Sequence, residues 1–223
     1  MSDDNALFNS SLPLLLDASG PIVHVGIPSM EGWRALFSDE KPALESLFIS
    51  LRKCLEQVDS HATSIDALLF CEGPGSTLGL RIAATAAKTI LHENEPSLTL
   101  YLYNALDLAA LIVPAPRPIL APFRKGKRLL RHPPEDGSPR GEIEVLEEDE
   151  AATLAPDAIH LPGPRTWDVI PEGAETLTYD LSLVSGGLAD LAPILRPAET
   201  PDVFDPEPAE FRKWEPARKL SPQ

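Results

Sequence analysis

The chain has 223 residues, a hydrophobic fraction of 43% and a formal net charge of −15. This apolar fraction is enough for a buried core and is typical of globular proteins. Apolar runs stay well below the roughly 18 residues that a membrane-spanning helix needs, so we expect no segment to cross a bilayer. Because nucleic-acid affinity depends largely on Lys and Arg, the acidic charge disfavours direct RNA binding.

The N-terminal residues 1–11 are expected to form a disordered acidic arm. They lack the basic start and apolar stretch of a secretory signal, so we expect a cytoplasmic protein. The chain contains two cysteines, Cys54 and Cys71. In that setting they are expected to be reduced thiols in apolar surroundings rather than a disulfide.

Two apolar runs, LPLLLD and PIVHVGI, flank the short turn at residues 17–20. They predict a β-hairpin of buried strands, and GWRALFSD adds a third strand. The segment KPALESLFISLRKCLEQVD then predicts an amphipathic helix. Its apolar stripe consists of Leu44, Leu47, Phe48, Leu51, Leu55 and Val58.

The segment SIDALLFCEG predicts a buried strand, and a second helix follows over about residues 78–93. One face of this helix carries residues spaced four apart: Leu78, Ile82, Ala86 and Ile90. LTLYLYN predicts another strand and ALDLAALIV a short helix. This order of strands and helices predicts an α/β domain over the first 112 residues or so.

The remaining sequence is rich in proline and glycine and predicts short strands and turns. RHPPEDGSPRG is expected to be a long exposed loop or hairpin tip, and PDAIHLPGP a strand. DLSLVSGGLADLAPIL predicts a helix that contains Gly186 and Gly187. We expect an N-terminal lobe at 12–113, a smaller lobe at 114–197, and a Pro-rich tail at 198–223 that packs back on the first lobe.

The stretch CEGPGSTLGLRIAATAAKTIL joins the buried strand to the second helix. It fits neither the Walker phosphate loop nor the dinucleotide fingerprint. A strand–glycine–helix junction can still bind an anion, but the alanines favour a slim helix and close packing. We interpret the Ser76 hydroxyl as a helix cap and Arg81 as a structural ion pair or carbonyl clamp.

This stretch resembles the signature of the TsaB (YeaZ-like) family, which usually reads close to GPGSFTGLRIG. The matching residues are Gly73, Pro74, Gly75, Ser76, Gly79, Leu80, Arg81 and Ile82. LLLDASG is similar to the family's first strand, and PEPAEFRKWEPARK is similar to its C-terminal stretch, with Phe211 near the usual Tyr. In the second lobe, Arg124 and Gly126 match a further family segment.

The resemblance implies an actin-like (ASKHA) α/β fold with two lobes, whose mixed β-sheets are flanked by helices. It implies a cytoplasmic, non-catalytic partner of TsaD, the subunit that transfers a threonylcarbamoyl group to tRNA adenosine. A TsaE-like ATPase would join through the complex, no cofactor is implied, and tRNA would be contacted only indirectly. The implied interface, with TsaD or with a second copy, consists of Leu44, Leu47, Phe48, Leu51, Leu55, Leu78, Ile82, Ala86 and Ile90.

Two alternatives stay open. Asp17 lies where active actin-like phosphotransferases place a metal-associated Asp, which would suit a small-molecule kinase or ATPase; a turn-forming role is favoured. The other alternative is a homodimer without a tRNA role. The five histidines are isolated, which disfavours a metal site, and no Ser/His/Asp set has a nucleophile elbow. The basic residues around Trp214 suit a solvated tail or a partner or tRNA contact.

Overall fold

A six-stranded mixed sheet with the strand order β11-β5-β4-β1-β2-β3 forms the first part of the molecule. This computed structural model describes residues 7–94, 96–154, 156–163, 170 and 174–207. The strands of the first sheet are β1 Pro13–Asp17, β2 Val23–Ser29, β3 Gly32–Asp39, β4 Ala67–Gly73, β5 Thr99–Asn104 and β11 Arg196–Ala198. The predicted hairpin and third strand are confirmed, since β1, β2 and β3 pair antiparallel in sequence.

Three helices accompany this sheet: α1 Ala43–Gln57, α2 Thr77–Asn94 and α3 Ala105–Ile112. Successive residues of a strand point to opposite faces, so β1 serves two cores. Leu14 and Leu16 belong to the cluster that contains the buried residues of α1 and α2. Leu15 belongs to the cluster that contains α3 and residues of the second sheet. The sheet is therefore covered on both faces.

A five-stranded sheet with the order β10-β9-β6-β7-β8 forms the second part. Its strands are β6 Ile119–Arg124, β7 Lys127–Arg131, β8 Ile143–Glu147, β9 Ile159–His160 and β10 Glu175–Thr176, with α4 Glu148–Leu154 following β8. The proline-rich segment 132–142 connects β7 to β8, as predicted for a hairpin tip. The predicted α/β class with two mixed sheets is confirmed.

The prediction of one helix over the segment DLSLVSGGLADLAPIL is wrong. The structure has two short 3₁₀ turns, Leu181–Leu183 and Ala192–Ile194, on either side of a four-residue helix, α5 Leu188–Leu191. Gly187 has φ +58°, and a Cβ there would lie 2.1 Å from the carbonyl oxygen of Gly32. The glycine therefore interrupts the helix and lets this segment approach β3.

Residues 7–11 of the predicted disordered arm are part of the folded structure. Leu7 is buried in the core, and Ser10, Ser11 and Leu12 donate hydrogen bonds to the Asp66 carboxylate. Burial alone would raise the pKa of Asp66, but these hydrogen bonds outweigh it and hold the pKa below its usual value. Residues 1–6 lie outside the described part of the chain.

Within the described residues, every helix is too short or too polar to cross a lipid bilayer. Both cysteines are free and buried, which confirms the prediction of two reduced thiols. Burial raises the pKa of the Cys54 thiol to about 12.

Candidate functional site

The GPGS corner, residues Gly73–Ser76, packs directly on the turn between β1 and β2. A Cβ at Gly75 would lie 2.0 Å from the Ser19 carbonyl oxygen. A Cβ at Gly79, in the first turn of α2, would lie 2.2 Å from the Ala18 carbonyl oxygen. Any side chain at either position would collide with backbone, so these glycines allow the corner and α2 to approach the first hairpin.

Polar groups of the corner are used within the protein. The Ser76 amide donates to the Ser19 carbonyl at 2.7 Å. The Ser76 hydroxyl accepts a hydrogen bond from the Gly79 amide at 3.2 Å, which confirms its predicted role as the cap of α2. A phosphate cradle needs amides that point at a ligand. The Ser76 and Gly79 amides instead point at protein oxygens.

Arg81 lies on the first two turns of α2 and is exposed. It lines a surface pocket together with Pro74, Phe123 and Phe204. Among the described residues, the Arg81 side chain forms neither the structural ion pair nor the carbonyl contact predicted for it.

Asp17 is fully buried and receives four hydrogen bonds. The Ser19 amide and hydroxyl donate to its Oδ1 at 2.8 and 2.7 Å, which confirms its role as a turn former. The hydroxyls of Tyr103, at 2.8 Å, and Tyr179 donate to its Oδ2. Burial, followed by the nearby Asp17 charge, raises the pKa of both tyrosines well above their usual value, so both hydroxyls remain donors.

Sequence reasoning missed both tyrosines. Tyr179 is 162 positions from Asp17, and neither tyrosine belongs to a local motif. Their hydroxyls donate to Oδ2 of Asp17, whereas the turn residue Ser19 donates only to Oδ1. Asp17 is therefore engaged by the protein on both of its oxygens.

A cleft separates the two sheets beside Asp17. Ser19, Pro21 and Pro74 line one wall, and Pro122 and Leu161 line the other. The cavity between them has a volume of about 50 Å³. Ligand pockets usually hold roughly 300–1,000 Å³, so the part of the cleft beside Asp17 is too small for a nucleotide. The pocket next to Arg81, of about 370 Å³, shares Pro74 and Phe123 with it.

Most of the described cations of the second sheet and its flanks are paired with carboxylates, whereas Lys125 and Arg140 are exposed without such a pair. Arg131 of β7 and Asp107 of α3 form a buried pair at 2.7 Å, which ties the second sheet to the first. The exposed or partly exposed pairs are Arg117–Glu175, Arg124–Asp205, Arg124–Glu207, Lys127–Glu147, Lys127–Glu207 and Arg128–Glu148. These cations are therefore committed to contacts within the chain.

The nine residues of the implied interface fall into two groups. Leu44, Phe48 and Leu78 are 71%, 52% and 68% exposed, and Leu51 and Ile82 are half-buried. The remaining four are buried in the core against the first sheet: Leu47, Leu55, Ala86 and Ile90. Those four cannot contact a partner of the folded chain, because neighbouring core residues already cover them.

The exposed residues lie at one end of the molecule. β1 and β3 both pair antiparallel with β2, so they run in the same direction. β4 also runs parallel to β1. Because α1 follows β3 and α2 follows β4, both helices begin at the same edge of the sheet. Leu44 and Leu78 in these first turns are exposed, whereas Leu55 and Ile90 toward the other end are buried. Leu47 points into the core already near the start of α1. Ile49, which is 46% exposed, adds to the apolar surface of α1 and was not predicted.

A family model matches the part of the chain that contains the two helices with exposed apolar starts. The family model described as TsaD, tRNA N6-adenosine threonylcarbamoyltransferase, matches residues 41–116, about a third of the sequence. This span contains α1, the GPGS corner and α2. No curated protein sequence matches the chain.

Two solved structures from Pseudomonas aeruginosa are similar over most of the chain. One is YeaZ, with a TM-score of 0.56 and 17% identity, covering 78% of this chain and 90% of that one. The other is an uncharacterized protein with similarity to peptidase YeaZ, with a TM-score of 0.54, 18% identity and the same coverage of 78% and 90%. The two lobes of this chain therefore have the actin-like α/β fold in its YeaZ-like form.

Proposed function

We propose that this chain is a non-catalytic, TsaB-type subunit that binds and supports a TsaD-like threonylcarbamoyltransferase in tRNA modification. The observation that carries the proposal is the exposed apolar end of α1 and α2, which lies at the same edge of the sheet as the GPGS corner. The match of residues 41–116 to the TsaD family model and the YeaZ-like fold support it. A TsaE-like ATPase would join through the TsaD-like subunit, in the cytoplasm.

The apolar end, which we define as Leu44, Phe48, Ile49 and Leu78, suits a protein partner. Burying one such side chain contributes roughly 1.5–3 kcal/mol. A protein–protein interface of standard size covers about 800 Å² on each side. Half-buried Leu51 and Ile82 continue the same stripes, so the four exposed side chains would form the centre of such an interface.

The organisation of the chain in this proposal follows the two sheets. We assign residues 12–113 to the first lobe, 114–197 to the second and 198–223 to a tail on the first lobe, although the chain has already returned to the first sheet at β11. Asp205 and Glu207 of the tail also pair with Arg124 of the second sheet. The Phe204 amide donates to the Glu72 carbonyl at 2.9 Å, and Arg196 pairs with the Glu72 carboxylate, which supports this path for the tail. Residues 208–223, with Phe211 and Trp214, lie outside the described residues.

The small-molecule kinase or ATPase is the less favoured alternative. Asp17 is engaged on both oxygens, and the cleft beside it is narrow and lined largely by apolar side chains. Titration of the purified chain with ATP and Mg²⁺ in a calorimeter is expected to give no micromolar binding. Binding with turnover would favour the enzyme instead.

The charge distribution supports an indirect role toward tRNA. The chain has a net charge of −15, and most of the described cations of its second lobe are paired with carboxylates. Counterion release from phosphates needs Lys and Arg that are available to the RNA. In this proposal the TsaD-like partner supplies most of the tRNA contact.

The test is co-expression with the TsaD homologue of the same organism, followed by size-exclusion chromatography and a tRNA modification assay. The double variant Leu44→Asp with Leu78→Asp is expected to weaken the complex at least about tenfold, because charge would be buried at the interface. Leu183→Asp is the matched control, since Leu183 is 56% exposed in a different part of the chain.

Equal weakening by both variants, or by neither, would contradict the proposed interface. Self-association of the chain through the same residues, without a complex with the TsaD homologue, would support the homodimer alternative. Normal tRNA modification in cells that lack this chain would contradict the function itself.

A further inference from the structure

One buried carboxylate receives hydrogen bonds from both lobes. Tyr103 belongs to β5 of the first sheet, whereas Tyr179 follows β10 of the second sheet. Both hydroxyls donate to the same oxygen of Asp17, Oδ2. The Tyr103 hydrogen bond therefore lies within the first lobe, whereas the Tyr179 hydrogen bond connects the two lobes. Both have the same acceptor and the same kind of donor.

The Tyr179 ring is also the inner wall of the cleft. It lines the cavity together with Leu177 and Thr178. A Cβ at Gly20 would lie 3.5 Å from its Cδ1, so the ring sits closely against the β1–β2 turn. Its hydroxyl lies 3.3 Å from the Ser19 hydroxyl and 4.0 Å from the Cys71 sulfur. The ring thus covers Asp17 and Cys71 from the side of the second lobe.

His24 of β2 also contacts the segment 177–180, through its ring against Tyr179 and through the Asp180 carboxylate at 4.0 Å. Other connections between the lobes lie away from residues 177–180. The Trp33 indole donates to the Val184 carbonyl at 2.8 Å, and Arg131 pairs with Asp107. Neither contact involves Tyr179 or the walls of the cleft. Residues 177–180 could therefore separate from Asp17 and His24 while these two contacts persist.

We propose that residues 177–180 form a latch over the cleft, held shut by the hydrogen bond from Tyr179 to Asp17. Release of this bond opens the cleft in the otherwise folded protein and uncovers Cys71. The carboxylate that suits metal and phosphate chemistry in other actin-like proteins here serves to hold the two lobes together. The latch is a property of the chain itself and does not depend on the proposed partner.

The two cysteines provide a direct test, because they report on different parts of the fold. Cys71 lies beneath Tyr179, whereas Cys54 lies in the core between α1 and β2, where its thiol donates to the Val25 carbonyl. Reaction with the thiol reagent DTNB, followed by mass spectrometry of each cysteine peptide, measures how often each site opens. In the wild-type chain, labelling of Cys71 is expected to depend less on urea than labelling of Cys54.

This expectation follows from the amount of surface exposed. Opening of the latch uncovers one segment, whereas exposure of Cys54 requires α1 to leave the sheet, and the urea dependence scales with the exposed surface. Identical urea dependence at both cysteines would mean that Cys71 is reached only by global unfolding. That result would overturn the latch without any substitution being made.

Tyr179→Phe and Tyr103→Phe form a matched pair of variants. Each removes one hydroxyl that donates to Asp17 Oδ2 and leaves the ring in place. Hydrogen bonds to charged groups are strong enough that losing one shifts an equilibrium roughly tenfold or more. Tyr179→Phe is expected to raise the Cys71 labelling rate about tenfold relative to Cys54, and Tyr103→Phe to leave that ratio unchanged.

An equal rise in both variants would contradict the latch, because the effect would then come from the carboxylate alone. No rise in Tyr179→Phe would contradict it as well. If Tyr179→Phe does not fold, the urea dependence of the wild-type chain still decides the question.

Discussion

The cleft between the lobes and the apolar end of α1 and α2 differ in how their side chains are used. In the cleft, Asp17 and the GPGS corner direct their polar groups at the protein itself, and the walls enclose about 50 Å³. At the helix ends, Leu44 and Leu78 face solvent. The comparison teaches that a buried carboxylate and a glycine-rich corner can serve internal packing. The exposed apolar surface then lies outside the cleft, at the first turns of α1 and α2.

The largest expected effect concerns the connection between the lobes. Asp107→Asn would leave the buried Arg131 guanidinium without its anionic partner. Breaking a buried ion pair on one side typically costs about 3–5 kcal/mol. We expect a loss of this size in the free energy of unfolding, measured by urea denaturation.

Arg52→Ala is the control, since it removes the exposed Arg52–Glu56 pair on the surface of α1. We expect a loss below about 1 kcal/mol there. Similar losses in the two variants would mean that burial does not distinguish the inter-lobe pair from a surface pair.

The next effect separates core from surface within α1. Leu47 is fully buried and Leu44 is exposed, although both are leucines of one predicted stripe. Leu47→Ala is expected to reduce the free energy of unfolding by about 2–5 kcal/mol through lost burial and a cavity. Leu44→Ala is expected to change it by less than about 0.5 kcal/mol.

The affinity for the partner should depend on the exposed leucine and not on the buried one, the reverse of the order expected for stability. Leu44→Ala should weaken binding to the TsaD homologue, whereas Leu47→Ala should leave the affinity of the remaining folded protein unchanged. Calorimetric titration of both variants below their unfolding temperatures measures this. Equal affinities of the two variants for the TsaD homologue would show that Leu44 is not part of the interface.

A third effect tests the close packing of the GPGS corner. Gly79→Ala would place a methyl group against the Ala18 carbonyl and force the hairpin or α2 to shift. Overpacking of this kind costs typically 1–3 kcal/mol, more than the helix propensity of alanine returns. We expect a net loss of about 2 kcal/mol in thermal or urea unfolding.

Gly20→Ala is the matched control, because a Cβ at Gly20 meets ordinary van der Waals distances of 3.5 Å and beyond. A stability close to wild type is expected there. A stabilised Gly79→Ala would show that the corner does not pack as closely as its backbone geometry indicates.

The smallest effect is a dependence on pH. Burial lowers the pKa of His24 below 6.5, although the charges of Asp17 and Asp180 act in the opposite direction. Because the unfolded chain then binds the proton more readily than the folded one, stability should fall as the pH drops below about 6.5. The loss is at most about 1.4 kcal/mol per pH unit.

Urea denaturation at pH 7.5, 6.5 and 5.5 measures this slope. His24→Gln should flatten it between pH 6.5 and 5.5. An unchanged slope in His24→Gln would assign the acid sensitivity to other groups.

Much of the first lobe was predictable, because its signals are local. The alternation of apolar residues located β1 to β3, and the helix spacing located α1 and α2 to within one or two residues. The cap at Ser76 and the turn at Asp17 also follow from neighbours in sequence. In the second lobe, the sequence predicts one helix that contains Gly186 and Gly187, whereas the close contact with Gly32 makes Gly187 the point where that helix is interrupted.

The candidate site was predictable only in part. Periodicity identified the apolar stripes of α1 and α2 but not which members face solvent, because a stripe wider than the contact with the sheet leaves some residues uncovered. The Asp17–Tyr179 contact carried no local signal, since 162 positions separate the two residues.

The sequence by itself determined the secondary structure of the first lobe, the glycine corner and the two apolar stripes, because these depend on residues a few positions apart. Tertiary structure decided which leucines became core, which carboxylate became buried and which tyrosine closed the cleft. Burial and inter-lobe hydrogen bonds depend on where distant segments meet, and this information is carried by the folded chain as a whole.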